Sequence, residues 1–141
     1  MLKYLLKTPD IAWSATSPAL ANTENLTIKY LGTAGFILSD RNRTVVLDPF
    51  ISRPTLWHTL TQPLLSDPIL VKQYIPRADD VLIGHAHYDH ILDAPEVCKQ
   101  TGARLIGSQA SLMYGRSAGL SEQQMLETKG REIIQCRSES V

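Results

Sequence analysis

The stretch VLIGHAHYDH, residues Val81 to His90, holds three of the chain's four histidines and one aspartate, directly after an apolar run. A structural histidine needs one or two partners, whereas imidazoles clustered beside a carboxylate are the donors that one metal ion, or two, requires. Gly84 permits a sharp change of direction just before the first histidine. The stretch therefore predicts a metal site at the end of a buried strand, with an accidental histidine cluster as the alternative.

The spacing of these side chains predicts how they divide between ions. Residues two apart share a face of an extended chain, so His85 and His87 are expected to bind one ion together. Asp89 continues the spacing, and a turn after the strand would bring His90 beside it to address a second ion. Two ions about 3.5–4 Å apart share a hydroxide, lower its pKa towards about 7 and polarise the bond under attack. The predicted chemistry is metal-assisted hydrolysis.

Composition limits the classes of protein to which the chain can belong. With 141 residues, 43% of them apolar, it can bury one core. Its 14 basic and 14 acidic residues balance, so nothing supplies the positive field that nucleic acid requires. No run approaches the length of about 20 apolar residues that spans a membrane. We expect a cytoplasmic protein with reduced cysteines that binds neither nucleic acid nor membrane.

Residues 1–25 are expected to form a loose leader before a domain that covers residues 26–141. The leader starts with basic and apolar residues and contains an Ala-x-Ala pattern at Ala19 and Ala21, like a signal-peptidase site. Pro9 and Asp10 interrupt the continuous apolar segment that a signal peptide needs. Secretion is therefore the less favoured interpretation.

The domain is predicted to begin as a β-meander. LTIKYLG alternates apolar and polar residues from Leu26, which indicates a strand with one face buried, and GFILS follows as a second strand. TVVLDPF closes a hairpin across the turn DRNR, and Asp48 lies where the chain leaves the sheet because Pro49 cannot donate to a ladder. Beyond it, residues 51–79 contain four prolines and predict only one short helix, PILVKQYI. The later predicted elements are strand DDVLIG, helix DAPEVCKQTG capped by Asp93 and Gly102, strand ARLIGS, helix SQASLMYGRSAG, a turn capped by Ser121, and strand REIIQC.

HAHYDH resembles the His-x-His-x-Asp-His signature of the metallo-β-lactamase superfamily. YLGTAGFILSDRNRTVVLDPF resembles that family's opening hairpin with its motif aspartate, here Asp48. Within the superfamily the chain is most similar to the branch that contains L-ascorbate-6-phosphate lactonase-like hydrolases. The resemblance implies an α/β fold of the αββα sandwich type. It also implies that His85 and His87 bind the first metal, that Asp89 and His90 bind the second with Asp89 as the catalytic residue, and that Asp48 supports the site. Zinc is the implied cofactor, two ions per complete site, with manganese or iron as alternatives.

The chain departs from the family pattern after His90, because no histidine follows it. Family members are similar in supplying a histidine, a bridging aspartate and a final histidine from the second half of the sandwich. We therefore expect only the N-terminal half-sandwich, which would bind metal weakly because each ion would have two protein ligands. Besides a small-molecule substrate, the expected partner is a second copy of the chain or the missing C-terminal half.

Three functional classes stay open. The first is a metal-dependent hydrolase that uses a metal-bound hydroxide on a small ester, lactone or phosphoester. The second is a catalytically inactive truncated remnant, or an interaction module, that keeps the half-fold. The third, an amidohydrolase-type barrel, needs eight strands and a longer chain. His58, in the long connection, either lines a substrate pocket or faces solvent.

Overall fold

Six strands form one mixed sheet in the computed structural model, which describes residues 26–137. The predicted leader, residues 1–25, lies outside the described residues. The strands are adjacent in the order of the sequence, and they are β1 (Thr27–Gly32), β2 (Gly35–Ser39), β3 (Thr44–Leu47), β4 (Asp80–Leu82), β5 (Arg104–Gly107) and β6 (Met125–Glu127). β1 to β3 pair antiparallel, whereas β3 to β6 run parallel to one another.

The antiparallel part is the predicted β-meander. Its β2–β3 turn is closed by Asp40, whose carboxylate accepts hydrogen bonds from the backbone N–H groups of Asn42 and Arg43, both at 2.7 Å. These backbone hydrogen bonds, that from Asn42 above all, hold the pKa of Asp40 below its usual value. The local turn chemistry that the sequence contains therefore determines the pairing of β2 with β3.

Five α-helices and a 3₁₀ helix, Glu122–Gln124, complete the described chain. The α-helices are α1 (Leu56–Thr61), α2 (Pro68–Tyr74), α3 (Tyr88–Ile91), α4 (Ala94–Thr101) and α5 (Gln109–Ser117). The predicted helices α2, α4 and α5 are confirmed, and α4 ends at Gly102, whose φ of 76° is left-handed. Helix α1 was not expected, and none of its residues is buried. In residues 26–137, no helix has the length and apolarity to cross a bilayer.

The strand predicted over REIIQC is wrong. The sixth strand is Met125–Glu127, which pairs with β5, and residues 131–136 lie outside any strand. This final segment is held by a buried charge instead: the backbone N–H of Arg137 donates to Asp80 at 2.7 Å. Arg104 Nε donates to the other oxygen of Asp80 at 2.8 Å, while Arg104 Nη2 donates to the carbonyl of Gln135 at 2.9 Å. Asp80 is fully buried, so these donors satisfy a carboxylate that would otherwise be destabilising.

The two faces of the sheet are covered unequally. One face carries Ile37, Val46, Val81 and Leu105, which form the core with buried side chains of α2, α4 and α5. The thiol of Cys98 in α4 lies in this core, fully buried and free of any disulfide. The fold is therefore of the α/β class, a half-sandwich with one helical layer on one sheet.

The opposite face carries a patch of Ile28, Tyr30, Phe36 and Leu38, named here the open face. Ile28 and Tyr30 are each 62% exposed and Phe36 is 37% exposed. The strand that the apolar–polar alternation of LTIKYLG predicts is confirmed as β1. The prediction that its apolar side chains are buried is wrong for the described residues. The helices pack on the other side of the sheet, so the described chain leaves this patch without a second layer.

Candidate metal centre

The candidate site lies at the edge of the sheet where β3 and β4 end. Because these strands are parallel, their C-terminal ends are neighbours, and Asp48 follows one while Gly84 lies two residues beyond the other. The backbone N–H of Asp48 still donates to the carbonyl of Leu82, at 3.0 Å. The sheet therefore brings the motif aspartate directly beside the histidine segment.

The predicted ligands lie in a loop and a helix. Strand β4 ends at Leu82, His87 is the N-cap of α3, and α3 itself contains Asp89 and His90. The prediction that His85, His87 and Asp89 continue an extended strand is therefore wrong. The chain leaves the sheet before the histidines, and a helical turn, rather than a strand period of two, sets the directions of the last two ligands.

The three imidazoles nevertheless come together. The ring of His85 is 4.5 Å from that of His87 and 3.8 Å from that of His90, measured between centroids. Asp89 Oδ2 lies 3.8 Å from His90 Nε2. His85 and His87 are exposed, whereas the side chain of His90 is only 13% exposed. Residues 85–90, named here the histidine loop, thus carry two exposed imidazoles next to a third, that of His90, which is mostly buried.

Asp48 provides that anchor. Its Oδ1 accepts a hydrogen bond from the Gly84 N–H at 2.7 Å, and its Oδ2 lies 3.0 Å from His90 Nδ1. A Cβ atom on Gly84 would lie 3.1 Å from the same carboxylate, so glycine allows the close backbone approach that the sequence predicts. Asp48 has a φ of 41°, a left-handed conformation that is uncommon outside glycine and often marks a functional position.

The donor chemistry fits a metal ion, but only part of a coordination sphere is present. His90 Nδ1 is buried and makes no hydrogen bond, although the Asp48 carboxylate lies beside it. Imidazoles and a carboxylate are suitable ligands for zinc, manganese or iron. Within residues 26–137, however, no three or more His, Cys, Asp or Glu side chains are arranged to hold an ion. An ion bound here would therefore need further ligands from outside this set.

Asp93 has a role that sequence reasoning missed. It was predicted to cap α4, and it stands at the N-cap position, but its side chain makes no capping hydrogen bond. Its fully buried carboxylate instead accepts from the backbone N–H groups of Ile51 and Ser52, at 2.5 and 2.8 Å, and from the hydroxyls of Ser52 and Ser66, both at 2.5 Å. These four hydrogen bonds hold the connection that follows Asp48 against the start of α4. His58 lies on α1 and is exposed, which agrees with the interpretation that it faces solvent.

The class of protein follows from this fold and from comparison with known families. The model of the family described as "Beta-lactamase superfamily domain" matches residues 43–134, a range that includes Asp48 and the whole histidine loop. The chain belongs to this family.

Curated relatives share part of the chain. A "UPF0173 metal-dependent hydrolase" of Pyrobaculum islandicum is 33% identical over 99 residues, which are 70% of this chain and 40% of the relative. A protein of the same description from Methanopyrus kandleri is 32% identical over 114 residues, 77% of this chain and 44% of the relative. The chain thus spans less than half the length of these relatives.

Solved structures share the fold. Igni18, a metallo hydrolase from Ignicoccus hospitalis, aligns with a TM-score of 0.51 at 23% identity, over 74% of this chain and 40% of that one. CmlA, a diiron beta-hydroxylase from Streptomyces venezuelae, aligns with a TM-score of 0.55 at 22% identity, over 82% of this chain and 23% of that one. The similarity extends to two proteins of different chemistry, so it establishes the architecture alone.

Proposed function

We propose that this chain contributes the N-terminal metal-binding part of a metal-dependent hydrolase. The observation that carries the proposal is the contact of three imidazoles above Asp48 at two parallel strand ends. The names of the curated relatives support it. Because the chain spans less than half of their length, the proposal concerns what this part contributes to a site.

In this proposal His85 and His87 hold one ion, and Asp89 with His90 holds a second. Zinc is the first choice, with manganese and iron as alternatives. A bound divalent cation lowers the pKa of water and polarises the bond to be hydrolysed. Asp48 holds the Gly84 backbone by a hydrogen bond and lies beside His90 Nδ1, and we propose that it positions these ligands for an ion.

The proposed substrate is a small ester, lactone or phosphoester. The resemblance of HAHYDH and of the opening hairpin to L-ascorbate-6-phosphate lactonase-like hydrolases supports this finer assignment. We also propose a cytoplasmic location, which the free thiols of Cys98 and Cys136 support. A second candidate function, a non-catalytic remnant or interaction module, is favoured by one observation: no three donor side chains in the described part converge on an ion.

Zinc titration of the purified chain after dialysis against a chelator tests the metal site. We expect weak binding, measured by calorimetry, that is lost when His85→Ala and His87→Ala are combined, because both accessible imidazoles are removed. His58→Ala is the matched control, since this histidine is exposed on α1 and should leave the affinity unchanged. Equal zinc affinity in the double variant and the unmodified chain would refute the assignment.

Hydrolysis assays separate the two candidate functions. The chain is incubated with zinc and with an ester, a lactone or a phosphodiester. Turnover that disappears in the double histidine variant supports the hydrolase, whereas the absence of both zinc binding and turnover supports the non-catalytic module.

A further inference from the structure

A cleft of about 260 Å³ lies between β1, α2 and the segment that follows Asp48. The residues that line it are two cations, Lys29 and Arg53, two tyrosines, Tyr30 and Tyr74, and the apolar Leu31, Ile51 and Leu70. No aspartate or glutamate is among the described residues that line it. In a chain whose formal charges balance to zero, this cleft is locally positive.

Arg53 is fixed in this cleft by backbone groups rather than by an acid. Its Nη2 donates to the carbonyl of Leu31, and its Nε donates to the carbonyl of Phe50 at 3.2 Å. A guanidinium has five N–H donors, so three remain for another partner, and carbonyls leave its charge unneutralised. In the described part of the chain, no acidic side chain forms an ion pair with it.

The backbone around Arg53 is shaped to keep the guanidinium in this position. Arg53 has a φ of 36°, which is uncommon for a residue with a side chain. Gly32 has a φ of 96°, a conformation that favours glycine, and a Cβ atom there would displace the guanidinium from its present position. Asp93 holds the two preceding residues, Ile51 and Ser52, through their N–H groups. The two carbonyl contacts hold the guanidinium of this exposed side chain at the cleft, where it is accessible to a ligand.

Lys29 adds the second charge on the α2 side of the cleft. Its Nζ lies 3.4 Å from the carbonyl of Tyr74 and 5.6 Å from the centre of that ring. Neither contact neutralises the ammonium. Two unneutralised cations around one cleft suit a small oxyanion, which a guanidinium can bind through paired hydrogen bonds.

The cleft begins at the edge of the sheet that carries the candidate metal centre. Gly32 ends β1 at this edge, and the position of a Cβ on Gly35, across the turn, is 2.9 Å from the carbonyl oxygen of Asp48. The chain then runs directly from Asp48 to Arg53. A substrate whose reacting bond lies at the histidine loop could therefore extend its other end towards Arg53.

We propose that this cleft binds the anionic group, a phosphate or a carboxylate, of the substrate. That the anion belongs to a substrate rests on the proposed function, but the binding of an anion in this cleft can be tested without metal. Arg53 and Lys29 are its binding residues, and neither belongs to the predicted metal ligands.

The test is a titration of the ¹⁵N-labelled chain with inorganic phosphate, and separately with acetate, in chelator at constant ionic strength. We expect saturable shifts of the Leu31, Gly32 and Arg53 amide signals, and of the Arg53 Nε–H signal. Arg53→Gln should weaken phosphate binding about tenfold or more, the effect of losing one charge-assisted pair. Arg41→Gln, which removes an exposed arginine in the β2–β3 turn, is the control and should change nothing.

Lys29→Gln provides a second variant that leaves the Arg53 anchor intact, and it should also weaken binding. Stronger binding of phosphate than acetate assigns the cleft to phosphate-bearing substrates, and the reverse assigns it to carboxylates. Shifts spread over all basic residues, or equal affinity in both variants and the control, would overturn the proposal. Phosphate binding here without zinc binding at the histidines would reject the proposed function and keep the anion site, and the opposite result would reject only the anion site.

Discussion

Asp48 is the residue that joins the two strand ends of the candidate site. Its carboxylate accepts from Gly84 with one oxygen and lies beside His90 with the other. Asp48→Asn keeps the shape and one acceptor but removes the charge next to the imidazole. We expect zinc affinity to fall by about 10- to 100-fold, the usual effect of losing a group that orients a ligand. A calorimetric titration measures this.

Asp40→Asn is the control for this prediction, because Asp40 caps an exposed turn away from the histidines. Unchanged zinc affinity in Asp48→Asn would mean that Asp48 is only a residue of the strand end. A lower affinity in both variants would indicate a general effect on folding instead.

Among single residues, the sequence predicts those that can be recognised from their immediate neighbours in the chain. The histidine motif is contiguous, and Pro49 marks the strand end at Asp48, so both were found without a structure. Arg53 and Asp93 were not assigned their roles, because their partners are distant in sequence: Arg53 binds Leu31, and Asp93 binds Ser52 and Ser66. The pattern of residues around Arg53 or Asp93 in the sequence does not indicate contacts with residues so far away in the chain.

At the scale of elements, Asp93 joins the long connection to α4. Asp93→Asn replaces a carboxylate that accepts four hydrogen bonds by an amide whose NH₂ cannot accept any, so buried donors lose partners. We expect the free energy of unfolding to fall by about 3 kcal/mol, and the Ile51 and Ser52 amides to exchange faster. Urea denaturation and hydrogen exchange measure the two effects.

Glu96→Gln is the matched control on the same helix. The Glu96 carboxylate accepts a hydrogen bond from Gln100, an exposed contact within one helix, so a change within about 0.5 kcal/mol is expected. If Asp93→Asn changes the stability no more than this control does, the carboxylate does not hold the connection.

Two of the helices that were predicted correctly, α2 and α5, have N-terminal side-chain caps and buried residues of their own. Asp67 begins α2 by accepting from two backbone N–H groups, and Ser108 does so for α5 with one. Helix α1 was missed because it buries no residue and therefore shows no apolar period against the core. REIIQC was predicted as a strand from its apolar centre, but Arg104 donates to its Gln135 carbonyl, Asp80 accepts from the N–H of Arg137 just after it, and no described strand pairs with it.

At the scale of the whole molecule, the open face is the main exposed apolar surface of the described sheet. Exposed Ile28 and Tyr30 on β1 and Phe36 on β2 form an apolar patch, and β1 is an edge strand of the sheet that residues 26–137 form. Such surfaces are usually covered by another layer or another chain. We propose that the chain forms a homodimer through this face.

Sedimentation at increasing concentration tests the homodimer. We expect the chain to self-associate, and Ile28→Lys to shift it towards monomer, because a charge on the open face must be desolvated on association. Thr27→Lys is the control: it adds the same charge to β1 one residue earlier, on the other side of the strand. A monomer at every concentration for the unmodified chain would contradict self-association.

Because Cys98 of helix α4 is buried, the reactivity of its thiol reports whether the helical layer has opened. Burial, and secondarily the nearby Asp80 carboxylate, raise the pKa of this thiol from 9.0 to about 12, so the folded chain keeps it protonated and unreactive. Above about pH 9 the unfolded chain ionises first, so stability should fall between pH 9 and 12. In a Cys136→Ser background, alkylation of Cys98 at pH 8 should proceed only as fast as α4 leaves the sheet. A rate equal to that of the urea-unfolded chain would show that the layer is open already.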